Sequence, residues 1–209
     1  MIPLNIYEGN ISAISFTPRE FQVEILSAAK ERNIITCLSQ NPAKEFCALK
    51  LIQEMGHELR RKQNQKMTLF LTSSPTVFNL IFHLTDLKVI NLNDLEQDEI
   101  DWENLSENQI VILETELCLN ALECSYIDLN VVNLIIVDEC HRRTRKSDIV
   151  GIFLKHFKNA KEKPRIFGLA GPIHNAQCPP ARLGAELEHL EWLLIAKVET
   201  ASDIVTVLR

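Results

Sequence analysis

The sequence predicts an α/β fold with a mostly parallel sheet, and two observations carry that expectation. Apolar runs of strand length recur at 33–38 (NIITCL), 67–72 (MTLFLT), 109–113 (QIVIL), 133–139 (NLIIVDE) and 164–170 (PRIFGLA). They are nearly continuous rather than alternating, as strands buried on both faces of a parallel sheet must be. Between them lie stretches with helical spacing, and strands that alternate with helices build a parallel sheet through crossover connections.

Taken in order, Phe21, Ile25, Ala28 and Ala29 predict a helix over about 18–31, before the first strand. Phe46, Leu49, Leu51, Ile52 and Met55 predict a second over about 43–63, and Ile149, Ile152, Phe153 and Phe157 a third. LRRKQNQK (59–66) reads as a solvated helix end. The polar stretch 91–109 reads as a surface loop with a short acidic helix. There is no internal repeat and no low-complexity tract.

Composition narrows the function classes. With 209 residues and 46% apolar content, one domain buries roughly 70% of its unfolded surface. A net charge of −6 and a pI near 5.6 exclude a grip on nucleic acid through bulk positive charge, so any RNA contact must be local. The six cysteines, at 37, 47, 118, 124, 140 and 178, form no CxxC pair and no zinc spacing. They read as small hydrophobes in a reducing compartment. No charged-then-apolar leader and no long apolar run is present, so the expectation is a cytoplasmic protein with no membrane partner.

Three segments carry candidate chemistry. VDECH (137–141) ends an apolar strand in adjacent carboxylates, which places Asp138 and Glu139 at the carboxyl edge of the sheet, where open α/β sheets bind ligands. In a nucleotide hydrolase Asp138 would hold Mg²⁺, Glu139 would orient water and His141 would couple the site to the rest of the machine; the alternative is a purely structural pair. CLSQNPAKEF (37–46) places Lys44 one turn after a strand and ahead of an apolar helix, the position of a phosphate-binding lysine, but without the glycines and hydroxyl of such a loop. FTPREFQVEIL (16–26) puts Gln22 on a helix, where its amide would either read an adenine edge or cap the helix.

These segments stand in a fixed series: FQVEIL, CLSQNPAKEF, FLTSSPT (70–76), ILETE (112–116), VDECH and GLAGP (168–172). The series resembles the first RecA-like lobe of a superfamily 2 helicase with a DECH box. With HLTDLKV (83–89), PRIFGLAGPIHNAQC (164–178) and ETASDIVTVLR (199–209) it resembles the Dicer family, most closely the arthropod branch that processes microRNA precursors.

The resemblance implies a RecA-like, P-loop NTPase-type parallel sheet flanked by helices. Residues 1–15 would be an N-terminal extension, 16–198 the lobe, and 199–209 the start of a connection to a missing second lobe, which makes the chain a fragment. The ATP site would comprise Gln22, Asn41, Ala43, Lys44 and Glu45, with Asp138 as the magnesium ligand and Asp138, Glu139 and His141 as vestigial catalytic residues. A working loop of this family reads T-G-S-G-K-T, whereas the matching residues are Gln40, Asn41, Pro42, Ala43, Lys44 and Glu45. Pro42 removes an amide donor, and Glu45 replaces the metal-binding hydroxyl with a negative charge. ATP and Mg²⁺ are therefore expected to bind poorly. In GLAGP, Ala170, Gly171 and Pro172 lack the hydroxyls that link ATP state to lobe movement.

RNA contacts are expected at Ser73, Ser74 and Thr76, or else a helix N-cap there. A second set is Arg142, Arg143 and Arg145 of RRTRK, or else a solvated loop that pairs with nearby Asp or Glu. The implied partners are double-stranded RNA such as a precursor microRNA hairpin, a double-stranded-RNA-binding protein and the second lobe in cis. The implied parent enzyme is a ribonuclease III whose nuclease domains and their Mg²⁺ lie outside this chain. The alternatives are a surviving RNA-stimulated ATPase or translocase, with Gln40 and Glu45 forming an unusual nucleotide site with Asp138, and a purely structural lobe.

Overall fold

A computed structural model describes residues 19–38, 41–61, 65–142, 146–171 and 180–199. Seven strands form one sheet in the order β3-β4-β2-β5-β6-β1-β7, and every pairing is parallel. The strands are β1 (Ile34–Cys37), β2 (Met67–Leu71), β3 (Val89–Asn91), β4 (Ile110–Leu113), β5 (Val132–Asp138), β6 (Arg165–Ala170) and β7 (Lys197–Glu199). The five apolar runs are β1, β2, β4, β5 and β6. The short edge strands β3 and β7 were not anticipated.

Strand side chains alternate between two cores because successive residues point to opposite faces. Ile34, Phe70, Ile112, Ile136 and Phe167 join a core with helices α1 (Glu20–Glu31), α2 (Asn41–Leu59) and α3 (Pro75–Leu84). Ile35, Leu69, Leu71, Ile135, Val137 and Ile166 face α4 (Thr115–Glu123), α5 (Lys146–Val150) and α6 (Pro180–Leu194). Burial on both faces is why these strands read as continuous apolar text.

The expected helix boundaries shift for local reasons. α1 starts two residues late, with Arg19 extended and its N–H donated to Gln22 Oε1 at 2.9 Å. α2 begins at Asn41 with Pro42 in its first turn, where a missing N–H costs no intrahelical bond. It stops at Leu59, whose carbonyl accepts from Gln109 Nε2 at 2.7 Å, rather than running on to 63. The third expected helix starts at Lys146 and passes into a π-type turn, Gly151–His156, then a 3₁₀ turn, Phe157–Asn159. A Cβ on Gly151 would lie 2.9 Å from Leu119 Cδ1 of α4, so glycine spares that side chain a shift.

The stretch 91–109 contains no acidic α-helix. Two 3₁₀ turns, Leu92–Asp94 and Leu105–Glu107, replace it, and Leu92, Ile100 and Leu105 are buried anchors within its polar text. Among the described residues no helix is long and apolar enough to cross a membrane. The expected extension 1–15 and nearly all of the expected connection 199–209 lie outside the described residues.

Candidate nucleotide-type cleft at the carboxyl edge of the sheet

The loops that follow β1, β2 and β5 meet at the carboxyl edge. They enclose a cleft of about 200 Å³ with Phe70, Val77 and Leu169 beneath it and Lys44, Glu45, Ser73, Ser74, Asp138, Glu139 and Arg142 around it. Lys44 lies in the first turn of α2 and is 4% exposed. Its ammonium pairs with Glu139 and stands 4.0 Å from Asp138 Oδ1. Glu139 also accepts from Arg142 Nε at 2.9 Å. Burial alone would raise the Glu139 pKa, but Lys44, His141 and Arg142 together outweigh it and hold the carboxyl below its ordinary value.

The turn after β5 is tightly specified. Glu139 adopts φ 51°, a left-handed conformation uncommon for a residue with a side chain and costing about 1 kcal/mol or more. Its N–H donates to Asp138 Oδ1 at 2.9 Å, and Arg142 N–H closes the turn on Glu139 O at 3.0 Å. Gly171 N–H donates to His141 Nδ1 at 3.2 Å, which requires that nitrogen to be unprotonated. Burial also lowers the His141 pKa. A Cβ at Gly171 would lie 3.2 Å from His141 Cε1, so glycine gives the ring its room. The VDECH and GLAGP segments are thus joined through a backbone amide, although Pro172 lies outside the described residues.

Two hydroxyl chains descend from the loop after β2 onto carboxylates. Thr72 Oγ1 accepts from Ser74 N–H at 3.0 Å and donates to Asp138 Oδ2 at 2.9 Å. Thr76 Oγ1 donates to Glu45 Oε1 at 3.0 Å, so the 2.9 Å contact between Ser74 and Thr76 has Ser74 as donor. Burial raises the Glu45 pKa, against the Thr76 hydrogen bond that lowers it; nearby Asp138 raises it and Lys44 lowers it. The cleft therefore holds Glu45, Asp138 and Glu139 against Lys44 and Arg142, one more carboxylate than cation.

Of the predicted site residues, Lys44, Glu45, Asp138, Glu139, Ser73, Ser74 and Arg142 line one cleft, and Thr76 and His141 touch its members. Gln22 does not line it. Gln22 is 7% exposed, and its carbonyl oxygen is engaged with Arg19 at the start of α1. Ala43 is half-buried against the α1–α3 core. Arg143, Arg145, Gln40 and the side chain of Asn41 lie outside the described residues. Among the described residues no group of three or more His, Cys, Asp or Glu is placed to hold a metal ion. Thr72 and Asn93 were missed: Asn93 Nδ2 donates to Thr72 O at 2.9 Å, and its Oδ1 accepts from Glu114 N at 2.7 Å, tying the ends of β2 and β4. The signal for Thr72 was a hydroxyl placed directly after an apolar strand.

Comparison with known proteins agrees with this architecture. No family model matches the chain. It is 38% identical to Endoribonuclease Dcr-1 of Drosophila melanogaster over 213 aligned positions, covering 97% of this chain and 9% of that protein. It is 33% identical to Endoribonuclease Dicer of Gallus gallus, over 91% of this chain and 10% of that protein. It is 29% identical to Dicer-like protein 1 of Neurospora crassa, over 90% and 13%. The chain thus spans about a tenth of the length of these relatives. The Hef helicase domain of Pyrococcus furiosus superposes with a TM-score of 0.70 at 21% identity, over 90% of this chain and 39% of that one. A seven-stranded parallel sheet with helices on both faces is the RecA-like α/β fold, and by sequence the chain belongs to the Dicer family.

Proposed function

We propose that this lobe is a recognition and docking module of a Dicer-type ribonuclease acting on precursor microRNA hairpins in the cytoplasm, and not an ATP-driven motor. The observation that supports this reading is the burial of Lys44 in an ion pair with Glu139. A triphosphate would have to break that pair, displace Arg142 and enter a cleft with surplus negative charge. Pro42 and Glu45 stand where a phosphate loop needs an amide and a hydroxyl. As arranged, these residues do not fit ATP with Mg²⁺. RNA contact falls to the basic run that starts at Arg142, and the second lobe and a double-stranded-RNA-binding protein are the docking partners.

The test is isothermal titration of ATP and Mg²⁺ into the full-length protein that carries this segment, with RNA-stimulated phosphate release measured alongside. The expected result is no saturable ATP binding and equal phosphate release from wild type and Glu139→Gln. Hairpin affinity should fall about 3- to 10-fold in Arg143→Ala/Arg145→Ala. Submillimolar ATP binding that Lys44→Ala abolishes would overturn this reading. It would favour the second one, a surviving RNA-stimulated ATPase, which draws support from the convergence of Lys44, Asp138 and Glu139 on one cleft.

A further inference from the structure

A second cleft, of about 410 Å³, opens at the opposite edge of the sheet, where the strands begin. Asn33 precedes β1, Lys66 precedes β2, Val132 and Asn133 open β5, and Arg165 opens β6. Nothing in the nucleotide-type cleft explains it. Its polar groups divide into those already matched and those left unmatched.

Lys66 is matched, by Glu162 and by the Asn130 carbonyl. Asn33 is matched on both sides: its Oδ1 accepts from Ile166 N–H at 3.0 Å and its Nδ2 donates to Ile195 O at 3.2 Å. Arg165 is different. It is half-buried, and burial lowers its pKa. Among the described residues neither the Arg165 guanidinium nor the Lys163 ammonium has a hydrogen-bond or ion-pair partner.

Asn133 supplies an independent sign of a missing acceptor. The pairing of β2 with β5 jumps from Met67↔Val132 to Thr68↔Leu134, which leaves Asn133 as the extra residue of a bulge. It is 7% exposed and lines the cleft; its Oδ1 accepts the Thr68 hydroxyl at 2.9 Å, and its Nδ2 has no partner. A desolvated amide donor and a half-buried guanidinium without an anion are both costly alone. Together they call for a ligand that brings oxygen acceptors, and a carboxylate matches the guanidinium fork.

The remaining walls choose among anions. Met55, Phe157, Pro164 and the 43% exposed Ile195 give the cleft apolar surface. Glu58 and Glu162 stand on its rim. A nucleic-acid strand carries a charge at every nucleotide and would meet both glutamates, whereas a peptide can place one carboxylate and otherwise present apolar side chains. We propose that this cleft binds a short acidic and apolar segment of a partner protein, with one Asp or Glu carboxylate on Arg165 and flanking apolar side chains against Ile195 and Met55. The proposal is independent of the reading of the Lys44 cleft, because the two clefts lie at opposite ends of the strands.

The test is fluorescence anisotropy of a labelled peptide of alternating leucine and glutamate with the full chain, and of its leucine/glutamine counterpart. Saturable binding of the glutamate peptide is expected, at least about tenfold weaker with glutamine and in Arg165→Gln. Lys163→Glu, at an exposed position, should weaken it similarly, and it decides the matter if thermal unfolding shows that Arg165→Gln has lost its fold. Lys44→Ala should leave the affinity unchanged. Failure to bind the glutamate peptide, equal affinity for the two peptides, or indifference to both cleft variants would overturn the proposal. So would displacement of the peptide by double-stranded RNA or inorganic phosphate at comparable concentration, which would mark a phosphate site.

Discussion

Thr76 donates its hydroxyl to Glu45 Oε1 at 3.0 Å, so the start of α3 is tied to the start of α2. This bond favours the charged carboxylate, against the burial that raises the Glu45 pKa. Thr76 is exposed, so Thr76→Ala should fold and should push the Glu45 pKa higher still. A raised folded-state pKa means the folded chain holds the proton longer than the unfolded chain. Its contribution to stability is present at low pH and lost as pH rises through the folded value. A carboxyl NMR titration reads the shift directly, and a Glu45 pKa that falls in Thr76→Ala would refute the account.

The Lys44–Glu139 pair predicts an asymmetry. Glu139→Gln leaves the buried ammonium without its paired carboxylate, with Asp138 at 4.0 Å, and it should destabilise by about 3 kcal/mol. Lys44→Met removes the buried charge while Glu139 keeps Arg142, so it should cost about 1 kcal/mol. Urea unfolding of both variants and of the double variant checks the order, with the double variant closer to Lys44→Met than to Glu139→Gln. Equal losses would mean that the pair is worth no more than a surface contact.

His141 gives a pH dependence of opposite sign to that of Glu45. Its folded pKa lies below the ordinary 6.5, and its Nδ1 must stay unprotonated to accept from Gly171. Its contribution is therefore full above about pH 6.5 and is lost as pH falls toward the folded value. In His141→Asn this loss should disappear from the stability curve below about pH 6.5. An identical curve for wild type and variant over that range would rule it out.

Packing around β6 is tight enough to reject one methyl group. A Cβ at Gly168 would lie 3.0 Å from Ile35 Cγ1, 3.1 Å from Leu194 Cδ1 and 3.3 Å from Cys140 Sγ. All three neighbours are fully buried and cannot yield toward solvent. Gly168→Ala should cost about 1 to 3 kcal/mol by thermal or urea unfolding, and a neutral result would show that α6 slides away from the sheet.

The five inner strands were legible because burial on both faces leaves an unbroken apolar run. β3 and β7 were not, since three residues are too few to show a period. The segment 91–109 misled through its polarity, for its few anchors, Leu92, Ile100 and Leu105, sit among charges without helical spacing. At the site, the order of motifs brought Lys44, Asp138 and Glu139 together in advance. The Thr72–Asp138 bond spans 66 positions and leaves no local trace. Arg142 was open to two readings, an RNA contact or a pairing with a nearby carboxylate, and the structure shows it bonded to Glu139, a partner that the charge run alone does not single out.

The sheet order also governs when the fold can close during synthesis. β1 has β6 and β7 as its neighbours, and the side chain that pins its start, Asn33, bonds to Ile166, 133 positions later. Until the ribosome has released that late part, the earliest strand has no edge to join, and an apolar segment is left waiting for its place. Such long-range closure is intrinsically slow. Any transcript cut before β6 would therefore yield a chain whose N-terminal strand has no sheet neighbour, a species for chaperones and proteases to clear.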